Sequence, residues 1–118
     1  MSPTQAQAFA DEWLAAWNAH DLPRVLSHYS DDFEMRSPVI TQISGNPDGR
    51  LQGKAAVGAY WAKALQRFPG LRFEPICTLL GAGSVTIHYV GATGKRVAEV
   101  FEFNADGLVC RAHAHYEA

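Results

Sequence analysis

Residues 96–103 read RVAEVFEF, and the fold follows from how these eight residues are read. Val97, Glu99, Phe101 and Phe103 fall on one face of an extended strand, and three of these four are large and apolar. Such alternation marks a strand with one face in a core. GATG precedes the run and NADG follows it, both of them turn-forming tetrapeptides. Beyond these turns lie VTIHYV at 85–90 and LVCRAHAHY at 108–116, and before them LRFEPICTLL at 71–80 and a GAGS turn. Four strands joined by tight turns predict an antiparallel sheet. The exception on the buried face is Glu99. A carboxylate facing a core must be neutralised, paired or hydrogen-bonded, because burying it bare is expensive. Either the face assignment is wrong, or Glu99 sits in a cavity that uses it.

Upstream the pattern turns helical. Ser2 can cap a first helix, with Pro3 in its first turn and Gln5 completing a capping box. Ala6, Phe9, Ala10, Trp13, Leu14 and Trp17 then recur at helical spacing. NAHD at 18–21 breaks that helix, and Asp21 caps a short second one with Pro23 in its first turn and Leu22, Val25, Leu26 and Tyr29 as its apolar stripe. FEMRS at 33–37 alternates as a short strand, Pro38 belongs at its end or at an edge, and VITQI at 39–43 is expected to extend or restart it. SGNPDGRLQG at 44–53 is a loop rich in turn formers, long enough to be functional or mobile. A third helix runs from about Lys54 to Arg67, stopped by Pro69 and Gly70. The expected order is α-α-β-α-β-β-β-β: an α+β fold whose antiparallel or mixed sheet curls around helices and leaves a pocket at one end.

Composition narrows the function. The chain has 118 residues, expected to form one domain over 1–118, with 10 basic and 12 acidic side chains and a net charge of −2. The absence of a basic stripe argues against nucleic acid. No apolar run reaches membrane-spanning length and no signal core opens the sequence, so a cytoplasmic protein that binds no membrane is expected. Cys77 and Cys110 read as two reduced, half-buried thiols in strands. His113 and His115 share a strand face with Arg111, and without a third ligand they predict no metal site.

WNAHDLPRVLSHYSDDFEM at 17–35, the Ser37–Pro38 pair, GKAAVGAYW at 53–61 and VFEFNADGLVCRAHAHY at 100–116 together resemble the nuclear transport factor 2-like superfamily, in its SnoaL-like and ketosteroid-isomerase-like branch. The resemblance covers nearly the whole chain. It implies a cone-shaped α+β barrel with a deep, mostly apolar pocket, homodimers formed through the outer sheet face, and as a rule neither metal nor organic cofactor. It also implies a range of reactions, among them isomerisation, cyclisation, epoxide hydrolysis and dehydration. In the ketosteroid isomerases an aspartate before the first-strand proline is the general base. Ser37 stands there instead, and a serine hydroxyl has no useful basicity near neutral pH. A first-helix tyrosine donates to the oxyanion in that family, and Trp13 stands at the matching place. A second, neutral carboxylic acid corresponds to Glu99, where SnoaL-like cyclases carry their catalytic aspartate.

Glu99 is thus the candidate catalytic group on two grounds. A lone carboxyl among Phe101, Phe103 and tryptophans should also have a raised pKa and so both take and give a proton. His88 is a weaker candidate: it shares the Glu99 face if Val90 pairs with Lys95. A one-residue shift sends it outward and brings Val85, Ile87 and Tyr89 inward, which their apolar alternation favours. The expected pocket residues are Trp13, Trp17, Tyr29, Ser37, Tyr60, Trp61, Phe101, Ala112 and Tyr116. The alanines at 112 and 114 suit a cavity wall, and Trp13 and Tyr116 can donate to a developing oxyanion. The expected function is cofactor-free acid–base chemistry on a small hydrophobic molecule. The alternatives are a binder without chemistry and an association module.

Overall fold

The computed structural model describes all 118 residues as four helices and six strands. In chain order these are α1 (Pro3–Asn18), α2 (Leu22–Leu26), β1 (Tyr29–Arg36), α3 (Pro38–Ser44), β2 (Arg50–Gln52), α4 (Lys54–Arg67), β3 (Glu74–Leu80), β4 (Ser84–Val90), β5 (Arg96–Phe103) and β6 (Val109–Tyr116). The strands form one open mixed sheet, β2-β1-β6-β5-β4-β3. β1 runs parallel to β6, and every other neighbouring pair is antiparallel.

Local chemistry starts the helices where the sequence signals them. The Ser2 hydroxyl accepts from the Gln5 amide at 3.1 Å, and the Gln5 side chain accepts from the Ser2 amide at 2.8 Å. That reciprocal box satisfies two of the donors a helix N-terminus leaves open. Asp21 caps α2 through the Arg24 amide, but α2 ends at Leu26, and Tyr29, expected on its apolar stripe, instead opens β1, which pairs with β6 at Tyr29↔Val109.

The segment expected to extend the first strand is instead α3. Ser37 is its cap, accepting from the Val39 amide at 3.2 Å, and Pro38 holds the first helical position, where its missing N–H costs nothing. Gly45 ends it in the left-handed conformation at φ 74°. Cap, proline and closing glycine together outweigh the strand preference of Val39, Ile40 and Thr41. The expected loop also holds β2, which pairs with β1 from Glu34↔Gln52 to Arg36↔Arg50. Here Gly49 lies against Ser37, its φ 65° and a would-be Cβ only 2.9 Å from the Ser37 carbonyl oxygen admitting no side chain.

Twenty-five buried apolar residues make one continuous core between the inner sheet face and the helices. At one end the core is filled with rings. Phe9 of α1 meets Phe101 and Phe103 edge-on, at 5.1 and 5.0 Å between centroids, and Trp13 meets Phe101 at 5.2 Å. Trp61 of α4 packs on Tyr29 and Phe33 of β1. Each fully buried side chain of this size contributes about 1.5–3 kcal/mol. At the other end the Asn18 side chain grips the backbone of Phe73 twice, donating to its carbonyl at 3.0 Å and accepting from its amide at 2.7 Å. That clamp sets the chain leading into β3 against the end of α1.

Cys77 and Cys110 are free thiols, but Cys77 is exposed on the outer sheet face rather than half-buried. His113 and His115 are exposed on β6 with rings 4.3 Å apart. No helix is long and apolar enough to cross a membrane.

Candidate functional site

Between α1, α3 and α4 and the inner face of β4, β5 and β6 lies a cavity of about 330 Å³, at the small end of the ~300–1,000 Å³ typical of small-molecule sites. Its walls are mostly apolar. Trp13, Trp17, Tyr60, Trp61 and Phe73 supply aromatic surface, and Ser37, Tyr89, Glu99 and Tyr116 supply polar groups. The β4–β5 turn, Gly91 to Lys95, forms part of the rim.

Glu99 is 3% exposed. Strand alternation sets it between Val97 and Phe101 on the inward face of β5, opposite Ile87 of β4 and Ala114 of β6. Its Oε1 accepts a hydrogen bond from the Tyr89 hydroxyl at 2.8 Å. No arginine, lysine or histidine pairs with it. Oε2 has no protein partner and is not among the polar atoms sealed from solvent, so it opens on the cavity. Burial pushes the Glu99 carboxyl up to about 7, against the opposing pull of the Tyr89 hydrogen bond.

Phenols surround this carboxyl. Burial, then the Glu99 charge, holds Tyr89 and Tyr29 well above the ordinary tyrosine range. Tyr60 is raised by burial, and Tyr116, 37% exposed as a residue, is pushed up to about 12 by the enclosure of its hydroxyl and then by Glu99. These hydroxyls stay protonated through the physiological range and act as donors.

Of the residues expected to line a pocket, Trp13, Trp17, Ser37, Tyr60, Trp61, Tyr116 and Glu99 meet at this cavity. Three others do not. Tyr29, Phe101 and Ala112 lie in the filled end of the core, at 1%, 0% and 0% exposure. The room left by Ala112 is taken by its cross-strand partner Phe101, packed edge-on against Phe9 and Trp13. Trp13 lines the cavity, but its indole N–H is spent in the core, donating to the Tyr29 hydroxyl at 2.9 Å. It is therefore no oxyanion donor. The Trp17 indole N–H is buried without an acceptor, its ring edge-to-face with Trp61 at 5.2 Å.

His88 is corrected outright. Val90 pairs with Arg96, so His88 pairs with Ala98 and points to the outer face, its Nδ1 4.0 Å from Cys77 Sγ. The turn holds five residues rather than four: the Gly91 amide bonds to the Lys95 carbonyl at 2.8 Å, and Gly94 takes φ 83°. The extra residue reverses the face of the whole strand and brings in Tyr89. Sequence reading missed Tyr89 as a site residue, although the Val85–Ile87–Tyr89 alternation carried the signal. Val39 and Gln42 on α3 also line the cavity, a placement hidden in the sequence because VITQI reads as strand.

Residues 10–112 match the family model for the SnoaL-like domain. A SnoaL-like protein of unknown function from Burkholderia thailandensis, solved by crystallography, is 56% identical, with a TM-score of 0.96 over 99% of this chain and 98% of that one. A proposed isomerase of the SnoaL-like family from Agrobacterium tumefaciens superposes with a TM-score of 0.77 at 19% identity, covering 98% and 99% of the two chains. AclR, a proposed hydroxylase from Streptomyces galilaeus, does so at 0.75 and 22%, covering 98% and 91%. At such identities the last two share the fold alone. A comparison with curated protein sequences gives no significant match.

Proposed function

The chain belongs to the SnoaL-like domain family, and from that premise we propose that its cavity is an active site in which Glu99 moves a proton beside a carbonyl group of a small hydrophobic substrate. One observation carries the reading: a fully buried carboxyl with one oxygen held by a phenol, the other turned to the cavity, and no cation to neutralise it. A carboxyl near 7 is present in both forms at neutral pH. It can therefore act as base and then as acid in one turnover.

The chemistry balances without further groups. Glu99 Oε2 takes a proton from the carbon next to the carbonyl, and the C–H electron pair moves onto the carbonyl oxygen to give an enolate. The Tyr60 and Tyr116 hydroxyls donate to that oxygen, and fixed donors in a site of low polarity do so without reorganising. Glu99 then returns the proton to a carbon further along the conjugated system, so the net change is an isomerisation. Tyr89 holds Oε1 and leaves Oε2 to do the transfer.

The test is proton exchange in D₂O, followed by NMR, on a β,γ-unsaturated cyclic ketone and on 2-tetralone. The native protein is expected to speed deuterium uptake beside the carbonyl. Glu99→Gln is expected to lose about 10²–10⁴-fold of that acceleration while keeping its fold. Equal rates for the two proteins would refute the proposal.

A second reading, binding without chemistry, draws on Ser37. By the resemblance to the ketosteroid isomerases it stands where their general base is, and it spends its hydroxyl oxygen on capping α3. On that reading an apolar ligand binds and is recovered unaltered.

A further inference from the structure

The inward file of β5 does not end at Glu99. Counting back by twos gives Val97 and then Lys95, and all three line the cavity. Between them Arg96 and Ala98 face the other way, Arg96 holding Glu117 at 2.9 Å. At ~3.3 Å of rise per residue, Lys95 lies about 13 Å from Glu99 along the strand, at the rim where the β4–β5 turn meets solvent. The cavity thus has a buried carboxyl in its depth and a cation at its mouth, and no other charged residue lines it.

Lys95 is also unusual among the chain's cations. Of the ten lysines and arginines, Arg24, Arg36, Arg50, Lys54, Arg72, Arg96 and Arg111 each hold a carboxylate within 4.0 Å. The other three are Lys63, Arg67 and Lys95, and of these only Lys95 borders the cavity. Glu117 is close enough to feel its field but is bonded to Arg96.

We propose that the cavity takes an amphipathic organic anion: an apolar body in the aromatic walls, an acid group at Lys95, and the reacting carbonyl at the far end beside Glu99. The identity of the reacting end rests on the proton-transfer reading of Glu99; the anchoring of the acid group by Lys95 does not. The dimensions set the class. At the ~30 Å³ that a water molecule occupies, the cavity admits on the order of ten non-hydrogen atoms. An aryl or medium-chain keto acid fits, with its two polar ends separated by an apolar spacer. An acid next to its own ketone would have to leave one of the two ends unmatched.

The probe is 4-acetylphenylacetate against its methyl ester, titrated calorimetrically into the native protein, Lys95→Met and Lys95→Arg. The acid is expected to bind the native protein about fivefold tighter than the ester, the scale of a partly exposed ion pair. This preference should shrink as salt is raised. Lys95→Met should abolish it, acid and ester then binding alike, and Lys95→Arg should retain it. Equal affinities in the native protein, a preference that survives in Lys95→Met, or failure of both probes to bind at millimolar concentration would overturn the proposal. Because the readout is binding, loss of the proton-exchange activity with the acid preference intact would reject the catalytic reading alone.

Discussion

The interior of this protein has two ends built on the same sheet face. Phe101 and Glu99 sit two residues apart on β5 and point the same way. Around Phe101 the space is filled by Phe9 and Trp13, and the Trp13 indole N–H is matched to the Tyr29 hydroxyl. Around Glu99 the space is left open, and one carboxylate oxygen is left without a partner. The Trp13–Tyr29 pair follows the ordinary rule that buried polar groups are satisfied, and the exception at this end is His28 Nε2, buried without a hydrogen-bond partner where the ring meets Phe9 edge-on. The hollow end departs from the rule at the group best placed to exchange a proton. Close packing and an open, unpaired carboxyl are thus divided between neighbouring residues of one strand.

The comparison breaks most visibly on truncation of the filled end. Phe101→Ala is expected to cost about 3–5 kcal/mol, the range for removing a close-packed ring, read from urea unfolding. A loss near 1 kcal/mol would mean that this end is not packed as described.

The second effect concerns pH. Glu99 titrates near 7 in the folded protein, against an ordinary value of 4.5. Its contribution to stability is therefore complete below 4.5 and is lost as pH rises through 7, where folding must hold a buried carboxylate. The difference is worth about 3 kcal/mol. Glu99→Gln removes this dependence, so its unfolding free energy, set against that of the native protein from pH 4.5 to 8.5, should gain about that much. Parallel profiles would contradict the burial of an unpaired acid.

A smaller change sharpens the hollow end alone. Tyr89→Phe removes the hydrogen bond that lowers the Glu99 pKa, so the Glu99 midpoint should move above 7. A midpoint that falls would show that Tyr89 stabilises the protonated carboxyl instead. Smallest of all is the outer face. Glu102 reaches Arg111 at 3.4 Å with both side chains about half exposed. Glu102→Ala should change stability by no more than about 0.5 kcal/mol, and a larger loss would show that this face is not free.

Much of this contrast was legible in the sequence. The period-two pattern of RVAEVFEF put Glu99 inside, and the capping box at Ser2 and the Pro69–Gly70 stop bounded the first and last helices. The errors share a physical cause: each depended on a single residue of turn or on what fills a space. The five-residue turn at 91–95 could not be told from a four-residue one, and that one residue decided between His88 and Tyr89. Ser37 and Pro38 read as a strand end, although the same pair followed by Gly45 is also a helix start and stop. Whether Ala112 faces a cavity or a ring depends on Phe9 and Trp13 from a distant helix, which no local pattern records. The Lys95–Val97–Glu99 file follows from the same alternation, but only the correct register shows that it borders the cavity.

The most direct measurement is the titration of Glu99 itself, followed by ¹³C NMR of the δ-carboxyl in glutamate-labelled protein, with Glu99→Gln assigning the signal. The account predicts a midpoint near 7. A midpoint near 4.5 would mean that the carboxylate is solvated or paired, and Glu99 would then be no proton carrier.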